Sequence, residues 1–414
     1  RGRRVFVDLR LMSIGLAYTD ARGRVFFDET KSPLADGGIV REVRPDELIP
    51  LPPGAIVSML PGRAPKLAAG REVPKRTALG VLLPAGYTRT LLPAFTRGAD
   101  APQLPLFGYT FACVVDDELA VAAMRTDEGE DWQPRRFKTG ELEATIAQRI
   151  AIDPGNQTLA QLSICAREYG CFTAQNVFLE RGEAAIPVAP KCNAACVGCI
   201  SELDADSAIP SPQTRIAYEP DVANLTRIGV HHLERVNDGI VSFGQGCEGE
   251  PLLRSTQIAA AIEAMRAQRS NGTINLNTNG SLTKSLQRVI DAGLQAVRIS
   301  LNSFRPETYA AYYRPTGYTL ENVLESVALA VDAGLRVSLN LLTHPGVTDE
   351  RAEIEAMEAF LRAHPVALVQ TRTLNIDPDV YFALVGRPHD PLGMREALSR
   401  IAALTAVGNF THTH

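Results

Sequence analysis

The sequence predicts an α/β protein: a partial, six-unit (β/α) barrel of the TIM type, preceded by a mostly β accessory domain. Three observations carry that expectation. From about residue 186 onward, short apolar runs alternate with stretches whose apolar residues recur every three or four positions. Within that half one unit repeats, because Asp291-Ala-Gly-Leu and Asp332-Ala-Gly-Leu stand 41 positions apart and each is followed by a strand-like run. Before residue 186 the apolar runs are short and broken by Gly and Pro, the pattern of hairpins. The chain therefore divides into 1–185 (accessory, mostly β), 186–380 (barrel) and 381–414 (a helical tail).

In the first part, strand-like runs fall at 4–11, 23–27, 54–60, 78–83 and 110–115, with turn signals at 21–23 and 52–54. A helical stretch at 140–150 follows Trp132, the only tryptophan. In the second part, strands are predicted at 185–189, 239–243, 273–277, 296–301, 336–342 and 367–374. Helices are predicted at 255–268, 284–292, 320–333 and 350–363. Gly293 and Gly334 stand where a helix would end in a left-handed cap, immediately before a buried strand. Repeated units of this kind form parallel sheets with right-handed crossovers, and their sites lie at the C-terminal strand ends.

Composition narrows the class. A chain of 414 residues with 45% hydrophobic and 21% charged residues is globular and long enough for two domains. The net charge of −5 argues against non-specific nucleic-acid binding while leaving a local basic groove open. No apolar run reaches 18 residues, so no membrane span is expected, and the opening Arg-Gly-Arg-Arg-Val-Phe does not read as a signal peptide. Of the seven cysteines, three fall within eight residues, which points to a metal site in a reducing cytoplasm more than to disulfides.

That cluster, Cys192-Asn-Ala-Ala-Cys196-Val-Gly-Cys199, directly follows the first barrel strand. Three thiolates on one short loop can hold three irons of a cubane and leave the fourth iron open to a ligand. Structural zinc is the competing reading, with a fourth ligand from Cys171, Cys247, His231 or His232. The C-x3-C-x2-C loop resembles the signature of the radical S-adenosylmethionine (SAM) superfamily, and the likeness runs over residues 186–376. The resemblance implies a [4Fe–4S] cluster on Cys192, Cys196 and Cys199. It also implies SAM at the open iron, a sulfonium cleaved reductively, and a 5′-deoxyadenosyl radical that abstracts hydrogen.

The later strand ends fit in order. Gly249-Glu250-Pro251 resembles the family element that holds the methionine amino group, with Glu250 in that role and Glu248 as its alternate. Asn275, Asn277 and Asn279 share one face of strand three and need polar partners. Ser300 and Asn302 match positions that hold the ribose hydroxyls, and Asn340 matches a SAM-contacting position on strand five. Arg314 is a candidate clamp for a carboxylate. Cys247 and Cys171 are candidates for a reactive thiol in the radical step, or, with Cys165, for a second iron–sulfur cluster. Cys113 reads as core, His231, His232, His344 and His364 as structural, and 411–414 as uninformative.

The implied function is radical chemistry on a small-molecule or peptide substrate, fed by a reductant such as flavodoxin or ferredoxin. An RNA-modifying radical enzyme and a zinc-stabilised binding protein remain open.

Overall fold

A computed structural model describes residues 13–68, 76–127 and 140–409. The strand-like run at 4–11, the basic opening, Trp132 and the residues 411–414 lie outside the described residues. Residues 13–68 and 76–127 form antiparallel sheets, as the broken apolar runs predict. The largest has the order Tyr109–Thr110, Thr77–Leu82, Ile14–Thr19, Ala112–Val115, Glu118–Arg125, Leu48–Pro50, with three further strands paired off this path. Three helices follow, Leu142–Ile152, Gln157–Arg167 and Phe172–Leu179. Sequence periodicity predicts only the first. Their apolar faces, including Ile146, Leu162 and Val177, are buried in the same core as the barrel.

The barrel is an open parallel sheet whose strands pair in sequence order: Glu183–Ile186, Ile240–Phe243, Thr273–Thr278, Ala296–Leu301, Arg336–Thr343 and Leu368–Thr373. A seventh short strand, Ala406–Gly408, extends it by pairing with Leu368–Thr373. It lies within the stretch that the sequence presents as a helical tail, after helices Pro378–Val385 and Met394–Ala402. The first strand ends sooner than its apolar run suggests. Pro187 has no N–H to give the ladder, and the N–H groups of Val188 and Ala189 go to the Glu248 carboxylate at 2.7 Å each. Both repeated Asp-Ala-Gly-Leu segments end helices with positive backbone angles, φ +106° at Gly293 and +75° at Gly334.

The β region is locked onto the last barrel elements by a buried ion pair. Arg63 donates to Asp377 at 2.7 Å, and both side chains are wholly buried. The same carboxylate oxygen accepts the Leu104 N–H at 2.8 Å, and its partner oxygen caps helix Pro378–Val385 through the Asp379 N–H. Removing one member of a buried pair strands the other charge. Asp377→Ala should therefore cost about 3–5 kcal/mol, read as a lowered midpoint in equilibrium denaturant unfolding. A change under about 1 kcal/mol would show the pair to be dispensable.

Candidate functional site

The three cysteines of the loop line one cavity of about 500 Å³ at the C-terminal ends of the barrel strands. Its walls also carry Glu248, Glu250, Asn277, Thr278, Asn279, Arg298, Ser300, Asn340 and Arg372. The loop is held from two sides. From the strand-four side, Ala195 N–H bonds Tyr313 O at 3.1 Å, Val197 N–H bonds Tyr312 O at 3.0 Å, and Thr316 N–H bonds Asn193 O at 2.9 Å. From strand three, Asn279 donates to the Asn193 amide oxygen at 2.9 Å. Tyr312 tucks beneath the loop because position 198 is glycine. A Cβ there would meet its hydroxyl at 2.8 Å.

The thiols are arranged as donors for a charged group. Burial raises the pKa of Cys192, and Cys196 is raised strongly, by burial first and then by the neighbouring Cys199 and Cys192 thiols. These two thiols therefore stay protonated unless a cation sits against their sulfurs. Among the described residues no three such side chains sit closely enough to hold a single metal ion. His231 and His232 cannot complete a zinc site. They lie on the outer helix Val222–Arg235, bonded to Glu180 at 3.0 Å and to Gly182 O at 2.9 Å.

The two glutamates divide their work. Glu248 accepts Val188, Ala189 and Gln245 N–H groups, all at 2.7 Å, and so fastens the exit of strand one to the exit of strand two. Burial pushes its pKa up to about 8, and the three N–H bonds pull it back toward the ionised form. Glu250 accepts Thr278 Oγ1 at 2.5 Å and Leu252 N–H at 2.9 Å on one oxygen, and only Asn279 N–H at 2.8 Å on the other. Its pKa is pushed up to about 7 by burial, which an incoming cation would relieve.

On the opposite wall, Asn340 Oδ1 is buried without a hydrogen-bond partner, an acceptor waiting for a ligand donor. Ser300 lines the same cavity. Both therefore present polar groups to the cavity. Asn277 spends its amide on the protein, donating to Gly244 O at 2.8 Å and accepting Arg298 Nη1 at 3.2 Å. Glu183 pairs with Arg298 at 2.6 Å. Burial raises the Glu183 pKa, but Arg298, Ser242 and Arg372 outweigh it and hold the carboxyl below its usual range.

Four residues singled out in the sequence stand elsewhere. Asn302 is buried behind the wall, bonded to Tyr381 Oη at 3.0 Å and Thr308 O at 3.3 Å. Strand four ends at Leu301, so the alternation that puts Ser300 inward does not extend to it. Arg314 has φ +46°, and its side chain lies at the surface on Asp204 at 2.6 Å. The work of that segment is done by backbone groups that pin the cysteine loop. Cys247 is buried in the core with Cys165, and the neighbouring Cys165 thiol together with burial raises its pKa. Cys171 is half-buried, its sulfur 3.3 Å from Thr173 Oγ1, and it is Thr173 that reaches the wall. Arg215, in a loop without periodicity, leaves no mark in the sequence but lines the cavity.

The chain is similar to several known proteins. The family described as "Radical SAM superfamily" matches residues 186–357. The chain is similar to a "Probable GTP 3′,8-cyclase" of Methanosarcina acetivorans, 35% identical over 138 residues, 32% of this chain and 39% of that protein. It is also similar to the "FeMo cofactor biosynthesis protein NifB" of Klebsiella pneumoniae, 24% identical over 245 residues, 55% of this chain and 51% of that one. The chain thus spans about half, or less, of the length of these relatives. Among solved structures it resembles a radical SAM methyltransferase from Sphaerobacter thermophilus. That match has a TM-score of 0.40 and 14% identity, and covers 55% of this chain and 65% of the other.

The loop's docking gives a sharp test. A Cβ on Gly249 would meet backbone, Lys191 O at 2.0 Å and Lys191 C at 2.3 Å, whereas one on Gly246 meets only the side-chain ends of Gln213 and Ile200, each at 2.7 Å. Gly249→Ala should lower the melting temperature and cut iron uptake on reconstitution severalfold, and Gly246→Ala should do neither. Equal behaviour of the two variants would refute the close backbone packing as the constraint.

Proposed function

Residues 186–357 form a radical SAM domain, and on that premise we propose that this enzyme starts radical chemistry on a small-molecule substrate held in the barrel cavity. One observation carries the reading. The three loop thiols share a single cavity with a buried carboxylate that has acceptor capacity left and with an unpartnered acceptor on the far wall. When bound, the [4Fe–4S] cluster and SAM supply a one-electron cleavage of the sulfonium that yields the hydrogen-abstracting 5′-deoxyadenosyl radical.

The chain's own residues place and shield that chemistry. Cys192, Cys196 and Cys199 hold the cluster and leave one iron without a protein ligand. The free side of Glu250 accepts the ammonium of the methionine moiety. Ser300 and Asn340 orient hydroxyls. Thr173 donates to Gln245 at 3.1 Å and closes the cavity beside Cys171. The net charge of −5 points to a small molecule more than to a folded RNA. The names of the two curated relatives refer to a nucleotide and a cofactor, both small molecules. A peptide substrate remains the second reading.

No helix among the described residues is long and apolar enough to cross a membrane. All seven cysteines are free thiols, which suits a reducing cytoplasm and an electron donor such as flavodoxin or ferredoxin.

Anaerobic reconstitution followed by iron analysis and chromatography of SAM after reduction tests the reading. About four irons per chain and reductant-dependent 5′-deoxyadenosine are expected. Zinc in place of iron, with SAM untouched, would overturn it. Glu250→Gln should keep the iron and weaken SAM binding at least tenfold, in line with about 1.5–3 kcal/mol for a hydrogen bond to a charged group. Unchanged SAM affinity in a folded Glu250→Gln chain would remove Glu250 from the site.

A further inference from the structure

We propose that Arg215 is a positioning residue that raises the reduction potential of the cluster, through a charge-assisted hydrogen bond to Cys199. The inference rests on the radical SAM reading of the cysteine loop. Residues 200–221 form neither helix nor strand, yet Arg215 is held firmly. Gln213 N–H bonds Ile200 O at 3.0 Å on one side of it, and Ile216 N–H bonds Cys247 O at 2.9 Å on the other. Between these anchors the guanidinium turns back onto the end of the loop. It donates from Nη2 to Cys199 Sγ at 3.4 Å and from Nε to Ser201 Oγ at 3.2 Å, and Nη1 pairs with Glu202.

The asymmetry of that pair is the physical point. The Arg215 side chain is 10% exposed and the Glu202 side chain 65%. The positive charge therefore acts on the sulfur across buried surroundings, while its counter-charge faces water and is screened. Reducing the cluster adds one electron to a group already bearing thiolates. A cation and an N–H donor at a ligating sulfur stabilise the reduced form more than the oxidised form, and hydrogen bonds to sulfur and local charge are the protein's levers on such potentials. A fixed three-way fork of this kind needs guanidinium geometry, which lysine does not reproduce. The competing account is a purely mechanical clamp on the loop.

An EPR-monitored redox titration of the reconstituted full-length chain, without SAM, separates the two accounts. Arg215→Gln should titrate at a more negative midpoint than the wild type, with Arg215→Lys in between. Glu202→Gln, which removes the partly screened counter-charge, should titrate at a slightly more positive midpoint. A loosened clamp would move both variants in one direction or leave both at the wild-type midpoint, and either result overturns the proposal. If Arg215→Gln does not retain a cluster, the sign of the Glu202→Gln shift decides. A wild-type chain that assembles no cluster overturns the radical SAM reading and this inference together, whereas a wild-type cluster with unmoved variants overturns the inference alone.

Discussion

The Glu248 carboxylate, 5% exposed, closes three backbone N–H groups that no sheet ladder reaches: Val188 and Ala189 leaving strand one, and Gln245 leaving strand two. The first two would otherwise be buried donors without a partner, at a cost of about 1–3 kcal/mol each. Because one side chain serves both strand exits, the spacing between them is fixed. The cysteine loop springs from the first exit and Glu250 from the second. Gly249 then lays its N–H on Ala189 O at 2.7 Å, and Glu250 N–H bonds Lys191 O at 2.9 Å. The relation between the cysteine loop and Glu250 is thus set by backbone, not by flexible side chains, as a pre-organised site requires.

The interior of the barrel follows from the same economy of partners. Parallel strands covered on both faces normally read as unbroken apolar runs. Here Asn275, Asn277, Arg298, Ser300, Asn340 and Arg372 interrupt them. Many of these groups satisfy one another: Asn275 bonds Ser242 at 3.0 Å, and Asn277, Arg298 and Glu183 form a chain along the cavity wall. What is left over, an Asn340 oxygen and the outer side of Glu250, belongs to residues lining the space a ligand would fill. Local departures from folding rules collect where a protein binds something.

Much of this is legible in the sequence, and the parts that are not have definite causes. Periodicity and the repeated Asp-Ala-Gly-Leu segments mark the barrel units, because a helix end, a left-handed glycine and a buried strand each leave a local trace. The cysteine loop announces itself by spacing. Helices Gln157–Arg167 and Phe172–Leu179 escape because Thr, Ser, Cys, Gln and Asn occupy buried positions, so no clear apolar stripe appears. Strand Ala406–Gly408 is only three residues long, shorter than any periodic signal. Asn302 is misplaced by extending strand alternation past Leu301. Cys247 is misplaced because sequence cannot show how a glycine-rich exit folds back into the core. The segment Tyr312-Tyr-Arg314 draws the eye to its guanidinium, yet it is the backbone of Tyr312 and Tyr313 that holds the loop.

The central claim is that three thiolates hold a cluster whose fourth iron is open to SAM. The most direct measurement is the EPR spectrum of the reduced, reconstituted chain before and after SAM is added. The account predicts a reduced [4Fe–4S] signal whose g-values shift on SAM addition, and loss of that signal in Cys196→Ala. A cluster spectrum that SAM leaves unchanged, or a chain that takes up only zinc, would contradict it.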